Sequence, residues 1–230
     1  MISERLQELY DQYSSLDAHL VPEGNFGCCG VVDEEKYESS TPKLVYVLKE
    51  PNNKRKRPKW SIPAFLQQQV SKGSCGKHIY HMWKVVGIWS YAIRNGFPDY
   101  NDINTVHISA EGLKYIGMTN LKKSEGGGTA NRRAVREYAK KTVTLWKSEL
   151  EIMNPDIILC CGTFDIVTKL LGLVTCQTAV GRRYSIWQHD SGHSLLLSIY
   201  HPACRFRKAK VYTLLKEALV ELQEKGFWHS

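Results

Sequence analysis

Three short apolar runs constrain this chain more than any other feature. Leu44-Val-Tyr-Val-Leu48, Ile157-Ile-Leu-Cys-Cys161 and Leu195-Leu-Leu-Ser-Ile-Tyr200 carry no charge, and turn-forming residues such as Pro42, Pro51, Pro155 and Gly162 bound them. Runs of this kind are strands buried on both faces rather than strands with one wet face. One more strand, second in chain order, is expected at 113–118, running into Thr119 and Asn120. Helical patterns follow these runs, and that alternation puts the strands side by side and parallel, with helices over both faces. The expected fold is therefore α/β, a three-layer α/β/α sandwich around a central four-stranded parallel sheet.

The remaining elements follow from spacing and punctuation. Leu6, Leu9, Tyr13 and Leu16 give residues 3–19 one apolar face, and further helices are expected over 62–72, 79–94, 164–172 and 205–225. A long helix is expected from the Gly126-Gly-Gly128 segment to residue 153. Thr129 is its expected N-cap, Val135, Tyr138, Thr142, Trp146, Leu150 and Met153 recur along it at helical spacing, and Asn154-Pro155 ends it. Residues 183–188 suit an edge strand, and 22–41 read as a loop without periodicity. The 230 residues suffice for one core, so a single domain is expected, with residues 1–41 as its N-terminal extension.

Several function classes are disfavoured. No stretch approaches the ~20 apolar residues of a membrane span, and the charged N-terminus reads as a helix start rather than a secretory signal. The seven cysteines are odd in number and lack any Cys-x-x-Cys spacing. They indicate neither a disulfide framework nor a zinc site, and a reducing cytoplasm is the expected setting. Cys160 and Cys161 read as small core residues, and His189 and His193, around Asp190-Ser-Gly192, as a polar turn rather than a metal site. No metal and no cofactor is expected.

Charge points toward a partner. The chain carries 31 Lys and Arg against 23 Asp and Glu, a net charge of +8. The cations cluster at Lys54 to Arg57 with Lys59, at Arg132, Arg133 and Arg136, at Arg182 and Arg183, and at Arg205, Arg207, Lys208 and Lys210. Clusters beside strand ends and loops favour a polyanion such as nucleic acid over a merely solvated surface.

In open α/β sheets, ligands bind beyond the carboxyl ends of the strands. The first expected strand ends in Lys49-Glu-Pro-Asn52, the second in Thr119-Asn-Leu-Lys-Lys123, and the fourth in Tyr200-His-Pro-Ala-Cys-Arg205. A carboxylate, an amide and an imidazole are thus expected to converge at one edge. Singly, each also suits a turn residue or a cap.

The ordered set of Glu50-Pro51-Asn52, Thr119-Asn120 through Lys123, the 154–162 segment and His201-Pro202-Ala203 resembles the uracil-DNA glycosylase superfamily, over about four-fifths of the chain. The likeness is strongest to the branch that carries an iron–sulfur cluster. The resemblance implies hydrolysis of the N-glycosidic bond of uracil or another modified pyrimidine, flipped out of DNA into the site. It assigns Glu50 to the sugar, as a carboxylate that stabilises positive charge or activates water. His201 would donate to a base carbonyl as negative charge builds there. Asn120 and Asn52 would read the base edge, and Trp60 or Phe65 would stack on it. Lys122, Lys123, Arg132 and Arg133 would hold phosphates; independently of the resemblance, the glycine loop before a helix N-terminus suits either a phosphate site on its backbone N–H groups or a flexible connection. Arg205 and Arg207 would neutralise flanking phosphates while Phe206 fills the gap in the stack.

Departures from the family pattern set the alternatives. Leu48 stands at the leading glycine of the first motif, Glu50 fills its variable catalytic position, and the ligand cysteines are missing, so an iron-free protein is expected. A monomer acting on single-stranded or duplex DNA is the leading expectation. A nucleic-acid-binding module of the same fold without turnover is the alternative, and a hydrolase of free nucleosides is a third reading that the basic clusters disfavour.

Overall fold

The computed structural model describes residues 1–21, 26–52, 60–126 and 129–229. The chain begins with α1 (Ile2–Leu20), β1 (Gly27–Cys28), β2 (Gly30–Val31), α2 (Glu34–Glu38) and β3 (Leu44–Leu48). Next come β4 (Trp60–Ser61), α3 (Ile62–Ser74), α4 (His81–Arg94), α5 (Tyr100–Ile103), α6 (Val106–Leu113) and β5 (Ile116–Asn120). The second half adds α7 (Arg132–Lys141), α8 (Val143–Met153), β6 (Ile157–Cys161) and α9 (Phe164–Leu171). It closes with β7 (Cys176–Gln177), β8 (Arg183–His189), β9 (Gly192–Ile199) and α10 (Lys208–Glu224).

The apolar runs pair as expected. The sheet order is β2-β5-β3-β6-β9-β8-β7, and β5, β3, β6 and β9 are mutually parallel. Antiparallel β2 on one side and β8 with β7 on the other extend this parallel centre. Every residue of β3, β5 and β6 is buried, which is why those segments carry no polar alternation. Successive side chains point to opposite faces. Tyr46 sends its hydroxyl to Ser90 of α4 at 2.8 Å, whereas its neighbour Val45 shares the other face with Gly117, against which Met153 of α8 packs. One helical layer therefore contains α4, packed on α6 and α10, and the other contains α8, packed on α1. Gly87 and Gly112 let α4 and α6 cross closely: a Cβ on Gly112 would lie 1.9 Å from the Gly87 carbonyl oxygen. No helix among the described residues is long and apolar enough to cross a membrane.

Some expected boundaries move. The long helix is two helices broken at Thr142, whose hydroxyl donates back to the Tyr138 carbonyl at 3.1 Å. Its N-cap is Asn131 rather than Thr129, because the Asn131 side chain accepts from the N–H groups of Arg133 and Ala134. Leu113 ends α6 rather than starting a strand. The stretch expected to be a bare loop contains β1, β2 and α2, the last capped by Asp33 through the Lys36 N–H at 3.1 Å. Cys160 and Cys161 are buried in the core, and the seven cysteines are free thiols.

Candidate functional site

The carboxyl ends of β3 and β5 leave the sheet together. Two hydrogen bonds extend the ladder past the strands, from Leu121 N–H to the Leu48 carbonyl at 3.0 Å and from Lys122 N–H to the Lys49 carbonyl at 2.9 Å. A third, from Gly126 N–H to the Pro51 carbonyl at 2.9 Å, folds the following segment back over Glu50. The result is a fixed carboxylate. Lys122 Nζ donates to Glu50 Oε2 at 3.3 Å, with the two side chains only 11% and 7% exposed. The same ammonium is held by the Ser124 and Glu125 carbonyls at 3.2 and 2.9 Å. Gly126 lies directly against it: a Cβ at residue 126 would lie 1.9 Å from the Glu50 carboxyl carbon and would push the carboxylate aside.

Two sequence assignments fail here for one reason. Lys122 and Lys123 are not surface phosphate ligands. Lys122 is the partner of Glu50, and Lys123 turns into the core, fully buried. Its ammonium lies 2.6 Å from Glu149 Oε2 and 2.8 Å from the Thr119 hydroxyl. Glu149 also accepts from Thr119 at 2.9 Å and from Tyr10 of α1 at 2.7 Å. Burial pulls the Lys123 pKa down, but the Cys29 sulfur and the Glu149 carboxylate outweigh it and hold it above the usual lysine value. Asp17 of α1 extends the network, accepting from Ser124 at 2.6 Å and from the Tyr138 hydroxyl.

Asn120 ends β5 as expected, but it is closed off. It is 1% exposed, its amide nitrogen faces Cys29 Sγ at 3.8 Å, and its Oδ1 has no hydrogen-bond partner among the described residues. The segment carrying β1 and β2 covers it, so in this conformation Asn120 does not present its amide to a base.

His201 follows β9 in a tight turn closed by Cys204 N–H to the His201 carbonyl at 2.8 Å. The Ala203 N–H donates to His201 Nδ1 at 3.2 Å. That bond fixes the neutral tautomer, leaving Nε2–H as a donor. Burial, then the ammonium groups of Lys49 and Lys208, hold the imidazole pKa below its ordinary value. Lys208 is itself tied to the Pro202 carbonyl at 3.0 Å. Lys49, which sequence reasoning passed over, lies beside Gly162 at the end of β6, its Nζ 3.9 Å from where a Cβ on that residue would sit. Glu50 and His201 thus occupy the same edge, but the end of β6 lies between their strands. The chain runs outward from β3 to β5 and then returns across to β6, which makes this the point where strand order reverses and where such sheets bind ligands.

The aromatic candidates do gather. Trp60 and Phe65 lie 6.2 Å apart between ring centres, and Phe65 stacks on Tyr80 at 5.9 Å. Trp60 adjoins Pro51 through Gly27, and Tyr80, 54% exposed, supplies an open face. Asn52 is exposed. Arg132 and Arg133 are exposed at the start of α7, and Arg132 approaches Asp165 at 3.9 Å. Arg205, Phe206 and Arg207 are exposed just before α10, which begins later than expected. The cluster of Lys54 to Arg57 with Lys59, and the glycines Gly127 and Gly128 of the expected phosphate loop, lie outside the described residues. His189 and His193 sit on the β8–β9 hairpin, where His189 bonds Ser191 and Ser194 at 3.0 Å each. Among the described residues, no group of three or more His, Cys, Asp or Glu side chains is placed to hold a metal ion.

Fold and site together define an α/β protein with a mostly parallel sheet between helices. Its polar edge joins an anchored carboxylate, a lysine near a neutral imidazole and an aromatic cluster. No protein-family model and no curated protein matches the chain.

Proposed function

We propose that this chain is a DNA glycosylase-like hydrolase that removes uracil or another modified pyrimidine from an extruded or single-stranded nucleotide. The observation that carries the reading is His201. Its Nδ1 is committed to the Ala203 N–H and its environment keeps it neutral, so Nε2–H is a ready donor at the carboxyl edge. Breaking the C1′–N bond sends the electron pair to the base. A donor aimed at a base oxygen stabilises that charge without a proton having to be lost. Water then adds its hydroxyl to C1′, and its proton ends on the departing base. Glu50 suits the sugar side of this step: a fixed carboxylate favours positive charge at C1′ and orients the incoming water.

Two observations favour the alternative of a nucleic-acid-binding module without turnover. The Glu50 charge already faces Lys122, and Asn120 is covered. Incubation with oligonucleotides bearing different modified pyrimidines, followed by alkali, separates the two. Strand breaks at one modified base are the expected result. Binding without breaks at any base would assign the chain to the binding class.

A further inference from the structure

Tyr200 joins β9 to His201 and carries a cation and an aromatic ring on its own ring. The Arg182 guanidinium lies 4.2 Å from the Tyr200 ring centre. The Phe206 ring lies 4.9 Å from it at an interplanar angle of 55°. Phe206 is nevertheless 58% exposed, so its ring is open to a ligand. The Arg182 guanidinium lies over the Tyr200 ring, and its buried Nε has no hydrogen-bond partner among the described residues. Residues 200–210 include Arg205, Arg207, Lys208 and Lys210 and not one carboxylate. An exposed aromatic ring with one cation on its neighbour and others close by in the chain complements a polyanion that carries flat apolar groups. Acidic peptides and lipid headgroups offer the charge without the flat faces.

We infer that Arg182, Tyr200 and Phe206 form a stacking shelf for a nucleobase of single-stranded nucleic acid, next to the base held at His201. The inference rests on the nucleic-acid reading above but not on excision. Stacking tolerates any base and is worth about 1–3 kcal/mol per base, with cations tracking the backbone. Because Phe206 leans on Tyr200 in advance, its contribution is felt on single strands and is not confined to filling a duplex gap.

Fluorescence anisotropy with labelled oligothymidylate and an abasic phosphodiester strand of equal length tests the shelf. The full chain should prefer the strand with bases by about tenfold. Phe206→Ala should remove most of that preference and leave abasic-strand binding and its salt slope unchanged. Phe206→Trp should keep the preference, showing that the ring and not the fold is at issue. Equal affinity of the full chain for both strands, or equal weakening of both by Phe206→Ala, would overturn the shelf. An intact preference with no excision of any base would overturn only the hydrolase. Absence of binding to either strand would overturn the shelf and the nucleic-acid reading together.

Discussion

Lys122 and Lys123 are neighbours in sequence, and each pairs with a glutamate, but the two pairs belong to different parts of the molecule. Lys123 and Glu149 are both fully buried. They share Thr119 and Tyr10, and they tie α1 and α8 to the exit of β5. Lys122 and Glu50 retain a little exposure at the sheet edge, and the further partners of Lys122 are backbone carbonyls of the loop between β5 and α7. Alternation of side chains past the strand end sends one ammonium into the core and the next to the rim. The pair deep in the protein is a structural clasp, whereas the pair at the rim fixes a carboxylate beside the sheet edge.

The largest effect should come from breaking the clasp. Lys123→Met leaves Glu149 buried without its cation, and urea unfolding should show a destabilisation of about 3–5 kcal/mol. Pairing it with Glu149→Leu should recover most of that stability, since two apolar side chains leave no buried charge behind. The folded Lys123 pKa is raised. Its contribution is therefore full at neutral pH, below the unfolded lysine value, and disappears only as pH rises through the folded value in strong alkali. A single variant costing under about 1 kcal/mol would erase the contrast between the pairs.

His201 sharpens the rim side. His201→Ala should lower excision by about 100-fold or more while unfolding changes little. Because the imidazole pKa is lowered, activity should hold from neutral pH down past about 6.5, the ordinary histidine value. It should fall only in more acid solution, when protonation of Nδ1 sets N–H against the Ala203 N–H. An acid limb above neutrality would remove the assigned role. The smallest effect should be that of Arg205→Ala with Arg207→Ala. Binding titrations at several salt concentrations should show a slope shallower by about one for each phosphate that is no longer neutralised. An unchanged slope would take these arginines off the DNA path.

Much of the scaffold was legible in the chain. Fully buried parallel strands leave uninterrupted apolar runs, and β3 and β6 coincide with theirs. Glu50 and His201 could be found because a strand exit is marked by the proline that follows the polar residue. Two-residue strands such as β1 and β2 have no period to read, so the cover they place over Asn120 was invisible. Lys123 was misassigned because its partner, Glu149, is 26 residues away on another element, and no local pattern tells a cation facing the core from one facing solvent. The ring contacts of Arg182, Tyr200 and Tyr80 were illegible for the same reason: each is made with a ring elsewhere in the chain.

The most direct test sets Glu50→Gln beside Glu149→Gln, with urea unfolding and abasic-site formation measured on the same preparations. The two changes are chemically identical, each removing one negative charge opposite a lysine. Glu50→Gln is expected to abolish excision and shift stability by less than about 2 kcal/mol. Glu149→Gln is expected to destabilise the fold by more than that, while the protein that remains folded keeps its activity. Full excision by Glu50→Gln, or equal destabilisation by both changes, would contradict the division of the two pairs into a site and a clasp.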